Sequence, residues 1–296
     1  MSAAKTKTIA AFGATGGVVG SSLARALRAG HFANALARNP EKLFNSLITS
    51  HNVPVQTLDK YLTIVEGDVR DRAAVAQTLL VKRTTDRDDD AEDNDIARDV
   101  ADVILSGIGS FPYFQWSIRT PFPLRDPTIT EDGVATIFGA LDDIFAGTFS
   151  GKSAANRDEG GMTRRRRPSA PGKKPLLVVV STAGASRTQA IPWPIRWLYN
   201  YLLGPPLADK IKMEQLVMSD QGRHVQDFVI MRPLILTAGG ATEEGWEWGL
   251  SDAGARDGQS LREREPGPVV GYFVSREDVG KFIFEKVVGA ANVMIL

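Results

Sequence analysis

The sequence predicts an α/β fold with a doubly wound parallel sheet, and three observations carry that prediction. Six short apolar runs, mostly β-branched, recur along the 296 residues. They show no apolar–polar alternation, which indicates strands covered on both faces by helices. Each run ends in small or polar residues, the composition expected where ligands meet the carboxyl ends of such a sheet.

Thr8 to Phe12 (TIAAF) is the first run and leads into Gly13-Ala14-Thr15-Gly16-Gly17. The spacing of Leu23, Ala26 and Leu27 then predicts a helix over Val18–Ala29, stopped at Gly30. Asn34 to Ala37 reads as the second strand, followed by Asn39-Pro40 and a helix from Glu41 to Ile48. Tyr61 to Val65 is the third strand, with Asp71 expected to cap a helix from Arg72 to Val81. Val103 to Leu105, Leu176 to Val180 and Phe228 to Met231 supply the remaining three strands. They end in Ser106-Gly107-Ile108-Gly109, Ser181-Thr182-Ala183-Gly184 and Arg232-Pro233. The expected architecture is a single Rossmann-like domain over 1–296 with a small C-terminal substrate-binding region.

Two segments stand outside this pattern. Residues 82–99 are almost entirely charged and read as a solvated extension between a helix and the fourth strand. Residues 151–174, rich in Gly, Ser, Pro and Arg and including Arg164 to Arg167, read as a disordered loop. Both are expected to decorate one domain. Composition narrows the function classes further. Lys plus Arg and Asp plus Glu are 35 each, so the basic excess of a nucleic-acid binder is missing. With no Cys and three His, neither a disulfide scaffold, a cysteine nucleophile nor a histidine-rich metal centre is expected. The N-terminal stretch lacks the apolar core of a signal peptide, and no window has the apolar length of a membrane helix, so a soluble cytoplasmic protein is expected.

The glycine pattern between the first strand and its helix is the main chemical signal. There a chain turns tightly, lets its backbone approach a diphosphate, and points helix N–H groups at the negative charge. Gly13, Thr15, Gly16, Gly17 and Val18 are the expected contacts. The third glycine of the usual fingerprint is displaced, because Val19 holds that spacing and Gly20 follows. At the end of the second strand stands Arg38, where an NAD site carries an acid. A guanidinium grips a 2′-phosphate in a fork that a carboxylate would repel, so Arg38 favours NADPH, with Lys42 a helper.

The runs IAAFGATGG, ALARNPEKL, VEGDVRD, VILSGIG, VVVSTAGAS, DFVIMRP and SREDVGKFIFEKVV occur in one order across nearly the whole chain. Together they resemble the NAD(P)H-binding, NmrA-like branch of the atypical short-chain dehydrogenase/reductases. The resemblance implies that Asp68 and Val69 hold the adenine, and that Ser106, Gly107 and Ile108 line the ribose and nicotinamide. It also implies that Pro233 and Leu234, with the residues to Leu236, border the nicotinamide, and that Ser181 or Thr182 polarises a substrate oxygen. Lys210 takes the place of that superfamily's helix lysine, which orients the nicotinamide ribose. The chain departs from the Tyr-x-x-x-Lys proton relay of classical members: Pro206 stands four residues before Lys210, and none of the five tyrosines has Lys four residues on. Tyr199 or Tyr201 would have to swing in, or water or Lys210 itself supply the proton.

Residues 111–127 and 191–206 are rich in aromatics and proline, and 237–272 contains Gly245 to Leu250 (GWEWGL). All three follow carboxyl ends of strands and are expected to wall a pocket for a flat hydrophobic substrate. The sequence thus supports an NADPH-dependent oxidoreductase acting on an aromatic or conjugated carbonyl-type molecule, as monomer or homodimer, without nucleic-acid or membrane partners and without metal. A non-catalytic NADPH-sensing regulator and a non-redox isomerase or dehydratase are the alternatives.

Overall fold

In chain order, the first half comprises β1 (Thr8–Phe12), α1 (Gly17–Arg28), β2 (Phe32–Ala37), α2 (Pro40–Thr49), α3 (Val55–Tyr61), β3 (Leu62–Glu66), α4 (Arg72–Leu79), β4 (Leu80–Lys82), β5 (Arg98–Val100) and β6 (Val103–Ser106). The second half comprises α5 (Ile129–Phe145), β7 (Leu176–Val180), α6 (207–218), β8 (Asp227–Met231), β9 (Ile235–Thr237), β10 (Phe273–Ser275) and α7 (Arg276–Ile283), which continues into a π-helical turn over Phe284–Val288. The structure is a computed structural model and describes residues 6–82, 98–110, 125–149, 173–185, 207–233, 235–242 and 273–289. Tyr199, Tyr201, Leu234, the segment 191–206 and most of 111–127, 151–174 and 237–272 lie outside the described residues.

Six strands form one sheet in the order β3-β2-β1-β6-β7-β8, with every neighbouring pair parallel. The progression starts at β1, runs outward to β3, then returns to β6 and runs outward the other way. The reversal between β1 and β6 opens a crevice at the carboxyl edge, where doubly wound sheets take their ligands. This is the Rossmann-like fold that the sequence predicts.

Successive side chains of a strand face opposite sides, and here both sides are dry. Ile9 and Ala11 of β1 join α1 and α7 in one core, with Val178 and Val180 of β7. Ala10 and Phe12 join α4 and α5 in the other, with Leu177 and Val179. Burial on both faces is why these runs are continuously apolar.

The helix boundaries follow from local chemistry. Gly30 takes φ +82° just past α1, while His31 N donates back to Ala26 O at 3.0 Å. Asn39 caps α2 by accepting from Lys42 N at 2.8 Å, with Pro40 in the first turn. Asp71 caps α4 through the N–H groups of Ala73 and Ala74, as expected.

Some expectations need correction. The helix expected over Arg72–Val81 ends at Leu79, because Leu80 to Lys82 pair antiparallel with Arg98 to Val100. The charged segment 82–99 is therefore anchored at both ends in a small strand pair rather than leaving a helix as a free extension. Tyr61 closes α3 instead of opening β3, its ring packed edge-on against Phe32 at 5.1 Å. Near the C-terminus, β9 and β10 pair in parallel, Ile235 beside Phe273 and Thr237 beside Ser275, so the strands flanking the expected lid segment 237–272 are joined in one ladder.

Candidate functional site

Three loops converge above the crevice. Gly13 takes φ +75° at the end of β1, and Gly16 N donates to Gly13 O at 2.9 Å to close the turn. A Cβ on Gly13 would stand 2.7 Å from the carbonyl carbon and oxygen of Gly107, so both the backbone angle and the space demand glycine. The β1 turn thus lies directly on the Ser106–Ile108 loop, which is also tied down by Gly107 N donating to Phe12 O.

The displaced third glycine is explained here. Val19 turns inward from α1, and a Cβ on Gly107 would lie 2.5 Å from Val19 Cγ2. The missing glycine on the helix is offset by a glycine on the facing loop.

On the adenine side, Arg70 N donates to Asp68 Oδ1 at 3.0 Å, and Asp71 N to Asp68 O. Val69 is buried, and its Cγ2 and Ile108 Cδ1 both pack onto Gly133 of α5. The loops after β3 and β6 therefore meet across the top of the sheet. Arg38 is exposed at the tip of β2. Nearby Asp126 is held by Arg70 in two contacts of 2.5 and 2.8 Å, which pull its carboxyl below the usual range. Arg38 also lies close enough to add a smaller pull in the same direction.

The first turn of α1 is bare. Its N-cap is Gly16, with no side-chain cap and no acid in the first turn. By contrast α2, α4 and α7 are capped by Asn39, Asp71 and Ser275. The first N–H groups of α5 donate to Asp209, from Thr130 at 3.1 Å and Glu131 at 3.0 Å. A helix start without a side-chain cap leaves its first N–H groups available to a ligand. Thr15 is exposed at the tip of the turn, whereas Val18 is buried, so Val18 offers the crevice only its backbone.

On the other side of the crevice, α6 delivers Lys210. Its Nζ donates to Val180 O at 2.7 Å and to Ile108 O at 3.1 Å, bridging the ends of β7 and β6. Burial lowers its pKa to about 8, against the opposing pull of Asp209 and Glu214. The helix is held by both of those acids. Asp209 caps α5, and Glu214, itself buried, takes a two-pronged contact from Arg232 at 3.0 and 2.9 Å beyond β8. Sequence reading missed Asp209, Glu214 and Arg232, because their partners are distant along the chain and no local pattern announces them.

Ser181 follows Val180 directly and is 5% exposed. Its N donates to Met231 O at 2.7 Å, but its Oγ is buried without a hydrogen-bond partner. A buried hydroxyl left unpaired is costly, and such groups often mark a place where a ligand completes the bonding. Half-buried Thr182 follows, and Ala183 N donates to the carbonyl of buried Pro233 at 2.9 Å. The expected site residues in the described chain therefore gather along one edge: Gly13 to Gly17, Arg38, Asp68 and Val69, Ser106 to Ile108, Ser181, Thr182, Lys210 and Pro233. A cationic donor and an unpaired hydroxyl beside a glycine turn can hold a dinucleotide and polarise a carbonyl oxygen. Among the described residues no helix is long and apolar enough to cross a membrane, and no group of three or more acids and histidines is placed to hold a metal.

Comparison with known proteins finds similar oxidoreductases. The chain is 34% identical over 290 residues to the reductase pytE of Aspergillus terreus, covering 95% of this chain and 91% of that one. It is 32% identical over 287 residues to the oxidase pynE of Aspergillus niger, covering 95% and 92%. Among solved structures, ChuY, an anaerobillin reductase of Escherichia coli O157:H7, matches 94% of this chain and 89% of its own with TM-score 0.52 at 15% identity, a likeness of fold. No protein-family model matches the chain.

Proposed function

The chain belongs to the oxidoreductase family that includes the fungal reductase pytE and oxidase pynE, and on that premise we propose that it is an NADPH-dependent reductase of a flat, hydrophobic aromatic or conjugated carbonyl compound. The observation that carries the proposal is Lys210 bridging Ile108 O and Val180 O beside the unpaired hydroxyl of Ser181. The residues fit a dinucleotide on two counts. The first turn of α1 is uncapped and free of acids, and the turn beneath it demands glycine at Gly13. A bound nicotinamide dinucleotide supplies the hydride.

The chain's own residues then divide the work. Gly16, Gly17 and Val18 offer backbone N–H groups to the diphosphate. Asp68 and Val69 would receive the adenine, and the exposed guanidinium of Arg38 would hold a 2′-phosphate and so favour NADPH over NADH. Lys210 spends two of its three donors on the strand ends and keeps the third for the nicotinamide ribose. Ser181, with Thr182, would donate to the substrate oxygen that gains negative charge, while Pro233 would border the ring. The proton that completes reduction comes from water, Lys210 or Tyr199. Substrates that accept electrons readily, such as quinones and flavins, relax the need for a positioned acid. That suits a chain with Pro206 where the superfamily places its tyrosine. The order of the sequence runs makes the NmrA-like, atypical short-chain dehydrogenase/reductase branch the natural home.

The same proline supports a second reading, a regulator that binds NADPH without turning it over. One experiment separates the two. Purified protein is mixed with NADPH and a panel of quinones, flavins and aromatic ketones, and the reduced-nicotinamide absorbance is followed. Turnover of at least one panel member that is lost in Ser181→Ala supports the reductase. Tight NADPH binding with a flat trace across the panel supports the regulator.

A further inference from the structure

α7 lies alongside α1 with the same polarity: Gly280 packs on Ser21 and Arg276 on Gly17, four residues earlier in both helices. Glu277 strengthens the seam by accepting from Ser21 Oγ at 2.8 Å and pairing with Arg25 at 3.2 Å and His51 at 2.8 Å. The N-termini of two helices therefore open side by side at the glycine turn. At the first position of α7 stands a cation, which the positive end of either helix disfavours.

The acids that follow it do not neutralise it. Glu277 is engaged by α1, and Asp278 accepts from Ser275 Oγ at 2.7 Å and from Thr242 N at 2.8 Å. Arg276 is half-buried and has no hydrogen-bond or ion-pair partner among the described residues. Its stem crosses the start of α1, since a Cβ on Gly17 would lie 2.6 Å from Arg276 Cδ and 3.1 Å from its Cβ. Side chains on a helix tilt toward its N-terminus, which carries the guanidinium to the end where the free N–H groups of α1 point.

We infer that Arg276 is a phosphate-binding residue of this site, closing over the diphosphate that the first turn of α1 receives. The inference rests on the dinucleotide reading above and adds to it a residue from the C-terminal helix. A half-buried guanidinium beside two helix N-termini is stabilised by an anion there, and a diphosphate offers it charge-assisted, forked hydrogen bonds.

The test uses Arg276→Met, which keeps the stem that lies on Gly17, and Arg276→Lys, which keeps the charge but loses the fork. Calorimetric titrations compare NADPH, ADP-ribose and adenosine 2′-monophosphate; only the first two carry a diphosphate. Arg276→Met should weaken NADPH and ADP-ribose by roughly 10- to 100-fold, as for loss of charge-assisted hydrogen bonds. It should leave adenosine 2′-monophosphate within about twofold, with Arg276→Lys intermediate and the wild-type melting temperature retained. Wild-type affinity for ADP-ribose in Arg276→Met overturns the inference while leaving the dinucleotide site standing. Equal weakening of all three ligands overturns it too, by making Arg276 a general support of the fold. A wild-type protein that binds neither NADPH nor ADP-ribose brings down the dinucleotide reading itself, and this inference with it.

Discussion

Replacing Lys210 by methionine measures what it costs to hold a cation between two strand ends. The ammonium donates to Ile108 O and Val180 O, and its pKa of about 8 reflects burial that outweighs Asp209 and Glu214. Such a lowering corresponds to about 3 kcal/mol of disfavoured charge at neutral pH. Methionine removes that cost but leaves two carbonyls without their donor, a loss of similar size and opposite sign. K210M should therefore stay within about 2 kcal/mol of the wild type at pH 7. The pH dependence is sharper. Folded Lys210 releases its proton near pH 8 and the unfolded chain near about pH 10.4, so between these values the unfolded state binds more protons. Wild-type stability contributed by this group is lowest below pH 8 and climbs through the window. The variant lacks the group, and titrations common to both proteins largely cancel in the difference. Urea unfolding at pH 7.5 and 9.5 should show the wild type gaining about 2 kcal/mol on K210M. A difference that stays constant between the two pH values would mean an ordinary, solvated lysine, and would refute the buried bridge.

Three further outcomes follow from the same geometry. Gly13→Ala combines a left-handed backbone with a Cβ 2.7 Å from Gly107, and should cost about 2–4 kcal/mol in chemical denaturation while impairing dinucleotide binding. Gly107→Ala drives a methyl into Val19 Cγ2 and should cost about 1–3 kcal/mol; adding Val19→Ala should recover much of that loss, and strictly additive costs in the double variant would show that the two residues do not compensate for each other. Arg38→Asp should weaken NADPH far more than NADH in paired titrations, and equal loss for both would remove Arg38 from 2′-phosphate recognition.

Strand identity, the sheet's parallel character and the glycine turn were legible along the chain, because a strand covered on both faces must be continuously apolar and a tight phosphate turn must be glycine-rich. Asp71 announced its helix for the same local reason: a cap bonds N–H groups two or three residues ahead. Elements whose partners lie far away were not legible. The antiparallel pair of Leu80–Lys82 with Arg98–Val100 interrupts a helical pattern that had no local reason to stop. Leu176 to Val180 and Val103 to Leu105 read as strands, but nothing local said that Lys210 would bridge their ends.

By itself, then, the order of residues determined the α/β layering, the six core strands and the loops that carry the glycines, since each depends on periodicity and short-range backbone chemistry. Folding in three dimensions decided the rest. It set Val19 against Gly107, tied α6 to α5 through Asp209 and to Arg232 through Glu214, and laid Arg276 across the start of α1. Those pairings depend on which surfaces meet when two layers of helices close on a twisted sheet, and residues 18 to 259 positions apart carry no shared local signal that they will touch.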